Sequence, residues 1–174
     1  MNMKKVLFSL VALLAVMTVQ AQSLCGSWRI MQPIVETEEE GTVLLQNIMY
    51  TFNEDGTYTC ADEFTVSTEP APTMALEVAT NIEIKGAYTL EGNKLTMTPD
   101  INTYKAELLS ISMNGQVTDN PMVKSNIMSM LNDNDFKAQF CEVENYTVNV
   151  GESLLEMNDG ETATNYARIS TMKK

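Results

Sequence analysis

From residue 26 onward the chain reads as apolar and polar side chains in alternation, interrupted at short intervals by turn residues. Period two is the signature of a strand with one face buried, because successive side chains point to opposite sides of a pleated backbone. "GSWRIMQPI" puts Gly26, Trp28, Ile30, Gln32 and Ile34 on one face, and the acidic segment around Glu38, Glu39 and Glu40 reads as an exposed loop. In "NIMYTFNEDGTYTCADEFTV", Ile48, Tyr50 and Phe52 share a face before the turn, and Tyr58, Cys60, Asp62, Phe64 and Val66 share one after it. Asp55-Gly56 supplies the positive φ that such a hairpin turn needs.

Pro70 and Pro72 predict a loop, and residues 73–79 fit either a short helix or the start of the next strand. "VATNIEIKGAYTL" then alternates at length, with Val78, Thr80, Ile82, Ile84, Gly86, Tyr88 and Leu90 facing one way. Gly86 inside that run predicts a bend or bulge. "EGN" turns the chain, Leu95, Met97 and Ile101 continue an apolar face, and "TYKAELLSISM" reads as a further strand ending at Asn114-Gly115. One helix is predicted in "DNPMVKSNIMSMLNDND", with Asn120 as its N-cap and Pro121 at the first helical position. "FKAQFCEVENYTVNV" reads as a strand, followed by the hairpin segments "SLLEM" and "TATNYARIS". The expectation is an all-β fold: an up-and-down antiparallel β-barrel of about eight or nine strands with one short α-helix. A two-sheet sandwich has the same periodicity.

The N-terminal segment follows a different pattern. "MNMKK" is basic, Val6 to Val19 is uncharged, and Val19 and Ala21 are small residues at a cleavage-type spacing. This is the plan of a secretory signal peptide, too short in its apolar part for a comfortable membrane span. Residues 1–21 are expected to be the signal peptide and residues 22–174 a single domain. The protein is then exported to the periplasm, the outer-membrane surface or the extracellular space, with no transmembrane segment after cleavage.

Charge narrows the partners. The chain carries 23 acidic against 11 basic residues, a formal net charge of −12, and loss of Lys4 and Lys5 makes it more negative. Such a surface repels phosphate backbones, so no nucleic-acid partner is expected. There is no His, which removes Ser-His-Asp and Cys-His catalysis and the usual His metal sites. Cys25, Cys60 and Cys141 leave their pairing open, and their spacings match no metal motif. No metal and no cofactor are expected. The carboxylates one would invoke for acid–base chemistry are Asp62, Glu63, Asp133 and Asp135, but nothing in the sequence holds a pair at a set separation. "DND" at 133–135 is followed by Phe136 and Lys137, which break calcium-loop spacing. A non-enzymatic protein is expected.

Four segments together resemble the lipocalin-like domains of secreted bacterial proteins, a family of calycin-type β-barrels: "LCGSW", "YTFNEDGTYT", "GAYTLEGNKLTMTP" and "NYARIS". The T-D-Y type motif of lipocalins proper has no counterpart in this chain. The resemblance implies that Trp28 packs across the closed end of a barrel, that Arg168 of the last strand stacks on it, and that Gly26 lets the chain pass close by. Alternation assigns Ile30, Tyr50, Phe52, Phe64, Ile82, Ile84, Tyr88, Leu95 and Met97 to the barrel interior, where they are candidates to bind a small hydrophobic molecule. The alternative is a filled barrel serving as a surface or interaction protein, for example an inhibitor or envelope component, with a protein partner that the sequence does not identify.

Overall fold

A computed structural model describes residues 24–38, 41–71 and 73–169. The expected signal peptide, residues 1–21, lies outside the described residues. Among the described residues the strands and the two complete helices follow in order: β1 (Gly26–Ile30), β2 (Ile34–Glu38), β3 (Gly41–Phe52), β4 (Thr57–Ala71), β5 (Met74–Glu91), β6 (Lys94–Met113), β7 (Gln116–Val117), α1 (Pro121–Leu131), α2 (Asn134–Gln139), β8 (Glu144–Val150), β9 (Leu154–Asn158) and β10 (Ala163–Ile169).

All pairings are antiparallel, and the sheet closes on itself. The hydrogen-bonded order runs β1-β10-β9-β8-β6-β5-β4-β3, and β1 returns to β3. Trp28 sits at the closure, opposite Arg168 on one side and Tyr50 on the other. Closure removes the exposed edges that an open sheet would present. The architecture is therefore an up-and-down barrel rather than a two-sheet sandwich. Eight of the described strands form the ring; β2 extends β3 beyond it, and β7 is a short hairpin on β6.

Strands β4, β5 and β6 have 15, 18 and 20 residues and continue past the ring. Two apolar clusters result. The lower one holds Trp28, Phe52, Leu95, Met97, Leu155 and Met157. The upper one joins Phe64, Ile82 and Ile111 of the long strands to Ile127 and Leu131 of α1. Strand β8 pairs with β6 only over Lys94–Met97, and the helices occupy the connection that precedes it.

Several expectations change. Residues 134–139 form a second helix instead of the start of a strand. Asp133 caps it, its Oδ1 accepting from the Asp135 N–H at 2.9 Å. Phe136 and Phe140, four residues apart, meet each other and pack into the upper cluster. An isolated six-residue helix is too short to form by propensity, so tertiary packing decides this segment. Pro70 does not open a loop: β4 runs to Ala71, with a register shift against β5 between Thr68 and Ala71. Residues from Met74 are strand, which resolves the helix-or-strand alternative.

The two segments read between Leu95 and Met113 are one long strand with an irregularity against β5 near Asp100–Lys105. There the Asp100 side chain accepts from the Asn102 N–H at 3.0 Å, and Ile101 turns out, 43% exposed, instead of continuing the apolar face. The first strand also stops at Ile30, so Gln32 is exposed and Ile34 belongs to β2. The predicted caps and turns hold where they rest on local chemistry. Asn120 Oδ1 accepts from the Met122 N–H at 3.0 Å, and Gly56 has φ of 80°.

Candidate functional site in the barrel interior

The nine residues assigned to the interior are all buried. They do not form one lining. Ile30, Tyr50, Phe52, Tyr88, Leu95 and Met97 belong to the lower cluster, whereas Phe64 and Ile82 belong to the upper one. Ile84, opposite Cys60 on β4, lies in neither. The lower group is tightly aromatic: Phe52 meets Tyr88 edge-on at 5.1 Å and stacks with Tyr50 at 5.9 Å between centroids.

The GxW residues lie at the seam where β1 joins β10 and β3. Trp28 is fully buried, and its Nε1–H donates to the Leu24 carbonyl at 2.7 Å. The Arg168 guanidinium lies 4.1 Å from the centroid of the Trp28 ring, a cation–π arrangement. Its Nη1 donates to the Cys25 carbonyl and its Nε to the Glu152 carbonyl, each at 2.8 Å. Gly26 has φ of 125°, and a Cβ there would lie 2.9 Å from Arg168 Nη1. These residues tie the first and last described strands together, and their work is structural.

A group of polar side chains adjoins the lower cluster, which itself includes Tyr50 and Tyr166. Tyr50 of β3, Cys60 and Asp62 of β4, Glu144 and Tyr146 of β8 and Tyr166 of β10 influence one another electrostatically there. The Tyr50 hydroxyl lies near the Cys60 thiol and the Tyr166 hydroxyl. The Tyr146 hydroxyl lies near the Glu144 carboxylate. Burial pushes the Asp62 carboxyl up to about 6 and raises Glu144 above the usual range. Burial also raises the Cys60 thiol, and the Asp62 charge adds to this.

Asp62 Oδ1 is shielded from solvent yet has no hydrogen-bond partner. Both carboxylate residues are nonetheless only part-buried overall. The signal for this group was present in the alternation: Asp62 falls on the apolar face between Cys60 and Phe64, and Glu144 is in phase with Tyr146 and Val148.

The other candidate carboxylates have different work. Glu63 points opposite to Asp62 and clamps a bulge in β3. Its Oε1 accepts from Gln46 at 3.0 Å and its Oε2 from Asn47 at 2.7 Å, where Asn47 has φ of 56°. Asp133 caps α2. Adjacent strand residues face opposite sides, so Asp62 and Glu63 do not form a catalytic pair. Among the described residues no group of three or more His, Cys, Asp or Glu side chains is placed to hold a metal ion. Cys60 and Cys141 are free thiols. No described helix is long and apolar enough to cross a membrane.

A groove of about 1010 Å³ opens where β6 leaves β8. Its walls include Tyr58 and Gly86 on one side and Ala138 and Cys141 on the other. Burial raises the Tyr58 hydroxyl, and nearby Glu144, Cys60 and Cys141 add to this, which relates the groove to the polar group.

No protein-family model matches the chain, and no curated protein matches it by sequence. Among solved structures, the chain is similar to a lipocalin-like protein from Bacteroides uniformis, at 12% identity and a TM-score of 0.42, over 84% of this chain and 99% of that one. It is also similar to an uncharacterized protein from Bacteroides eggerthii, at 12% identity and a TM-score of 0.39, over the same shares of the two chains.

Proposed function

We propose that this chain is an exported, non-enzymatic binding protein that carries or senses a small, mostly apolar molecule in its barrel. The observation that carries this reading is the part-exposed pair of carboxylates, Asp62 and Glu144, near Tyr166 of the aromatic lower cluster. Small-molecule sites combine an apolar lining with a few convergent polar groups, and this group has that composition. Tyr50, Phe52 and Tyr88 supply the apolar wall, and Asp62 and Glu144 supply the polar anchors. The export part rests on the basic-apolar-small pattern of residues 1–21. The non-enzymatic part rests on the separate placement of the acidic candidates.

A second reading, a protein-interaction module with a filled barrel, is favoured by α1. Its Met122 and Met130 are 74% and 54% exposed.

Native mass spectrometry of the protein purified from its own host, followed by organic extraction, tests the proposal. A stoichiometric extra mass released on denaturation is expected. A clean apo mass, with no binding to a panel of small amphiphiles, would overturn it in favour of the interaction module.

A further inference from the structure

We infer that the exported domain is released by cleavage upstream of Leu24 and that Cys25 stays an internal residue carrying no lipid, so the chain is not tethered to a membrane through that thiol. This rests on the export part of the reading above and names the processing that this chain accepts.

The sequence leaves two routes open. In one, water cleaves the peptide bond after Ala21, which leaves a carboxylate on the leader and an α-amine on Gln22. In the other, a cysteine close behind an apolar leader takes a glyceryl lipid as a thioether on its sulfur. The bond before that cysteine is then cut, and it becomes the first residue of an anchored protein. Cys25 lies six residues beyond Val19, and the second route would remove Leu24.

The fold depends on Leu24. Its side chain is fully buried in the lower cluster with Trp28, Phe52 and Leu155. Its carbonyl accepts the Trp28 Nε1–H at 2.7 Å, and this hydrogen bond is buried. An indole has one N–H and no other donor. Cutting before Cys25 therefore takes away a core side chain and the acceptor of a buried donor together. The first leaves a cavity and the second an unsatisfied N–H, and both destabilise the folded chain.

Cys25 itself is built into the same place. Its carbonyl accepts from Arg168 Nη1 at 2.8 Å, and that guanidinium also covers the Trp28 ring. Its Sγ lies 3.6 Å from the Tyr88 hydroxyl, which donates to the Asn53 carbonyl at 2.7 Å. A thioether on this sulfur would start a lipid chain beside the buried Tyr88. A new α-amine on Cys25 would also place a positive charge on the residue that already binds the Arg168 guanidinium. Cleavage after Ala21 keeps Leu24 and disturbs none of these contacts.

The test is the intact mass and N-terminal sequence of the protein recovered from the membrane and soluble fractions of its own host, for the natural chain and its Cys25→Ser variant. The expected species starts at Gln22 and has the plain peptide mass, and Cys25→Ser is expected to leave its fractionation unchanged. A species starting at Cys25 with the added mass of a lipid would overturn this inference and leave export standing. So would a shift from the membrane to the soluble fraction on Cys25→Ser. A chain that keeps residues 1–21 would overturn the export reading and this inference together. Urea denaturation of the chain starting at Gln22 checks the structural argument separately. Leu24→Ala is expected to lower the midpoint by roughly 1 M, or to prevent folding, and an unchanged midpoint would overturn the dependence on Leu24.

Discussion

The Arg168 guanidinium stacks 4.1 Å from the centroid of the Trp28 ring, joining the first strand of the ring to the last. The same group donates to the Cys25 and Glu152 carbonyls, so one side chain closes the barrel through three contacts. Arg168→Ala is expected to destabilise the fold by about 3 kcal/mol, below the plain sum of one cation–π contact and two charge-assisted hydrogen bonds because Arg168 is partly exposed. Arg168→Lys is expected to recover only part of this, since an ammonium lacks the planar fork. Urea denaturation of the three proteins measures it.

Gly26 and Arg168 should be energetically coupled. At Gly26 an added methyl meets both a strained φ of 125° and the Arg168 Nη1 at 2.9 Å. Gly26→Ala is expected to cost about 2 kcal/mol. In the Gly26→Ala, Arg168→Ala double variant the collision is gone and only the backbone strain remains. The double variant should therefore lose less stability than the two single losses combined, which a double-mutant cycle reads directly.

Asp62 predicts a pH dependence with a definite sign. Its carboxyl is held at about 6 by burial, against an ordinary value of 3.8. The folded chain therefore binds more protons than the unfolded chain between those values. Stability falls as pH rises from about 4 to about 6 and then levels off. Cys60 on the same strand, Glu144 on β8 and Tyr166 on β10 face this group and share its field. Asp62→Asn is expected to raise stability at pH 7 by about 2 kcal/mol, allowing for partial solvent exposure, and to change little at pH 4. Thermal melts at the two pH values decide it.

Gly86 is required by close approach rather than by its φ. A Cβ there would collide with the Thr98 carbonyl oxygen and lie 2.7 Å from Tyr58 Cε1 and 2.9 Å from Pro99 Cα. Gly86→Ala is expected to destabilise by about 3 kcal/mol or to prevent folding, because two of the three obstacles are backbone atoms. Chemical denaturation, or the absence of soluble protein, reports the result.

The helices should matter to the upper cluster alone. Leu131 is buried against that cluster, and the Tyr104 hydroxyl donates to the Leu131 carbonyl at 3.0 Å. Leu131→Ala is expected to cost about 3 kcal/mol and Tyr104→Phe about 1 kcal/mol. Hydrogen exchange in the Leu131→Ala variant should speed up in β4, β5 and β6 near Phe64, Ile82 and Ile111 while the amides around Trp28 stay protected.

What the sequence by itself determined was whatever depends on neighbours along the chain. Period two placed Tyr50, Phe52, Ile82, Tyr88, Leu95 and Met97 on buried faces, and local turn and cap chemistry located the Asp55-Gly56 hairpin and the start of α1 at Asn120. The lipocalin resemblance supplied the Trp28–Arg168 pair, which lies far beyond any local window. Only the tertiary structure decided the rest. The Asn134–Gln139 helix exists because Phe136 and Phe140 have a surface to pack on, and no six-residue pattern reveals that surface. Ring closure likewise decided which polar side chains lose their water. Asp62 and Glu63 are adjacent and chemically alike in sequence, yet one has a shielded, unpartnered oxygen inside the ring and the other holds two amide donors at a bulge. Desolvation is a property of everything that surrounds a group, and that is assembled only when the distant strands meet.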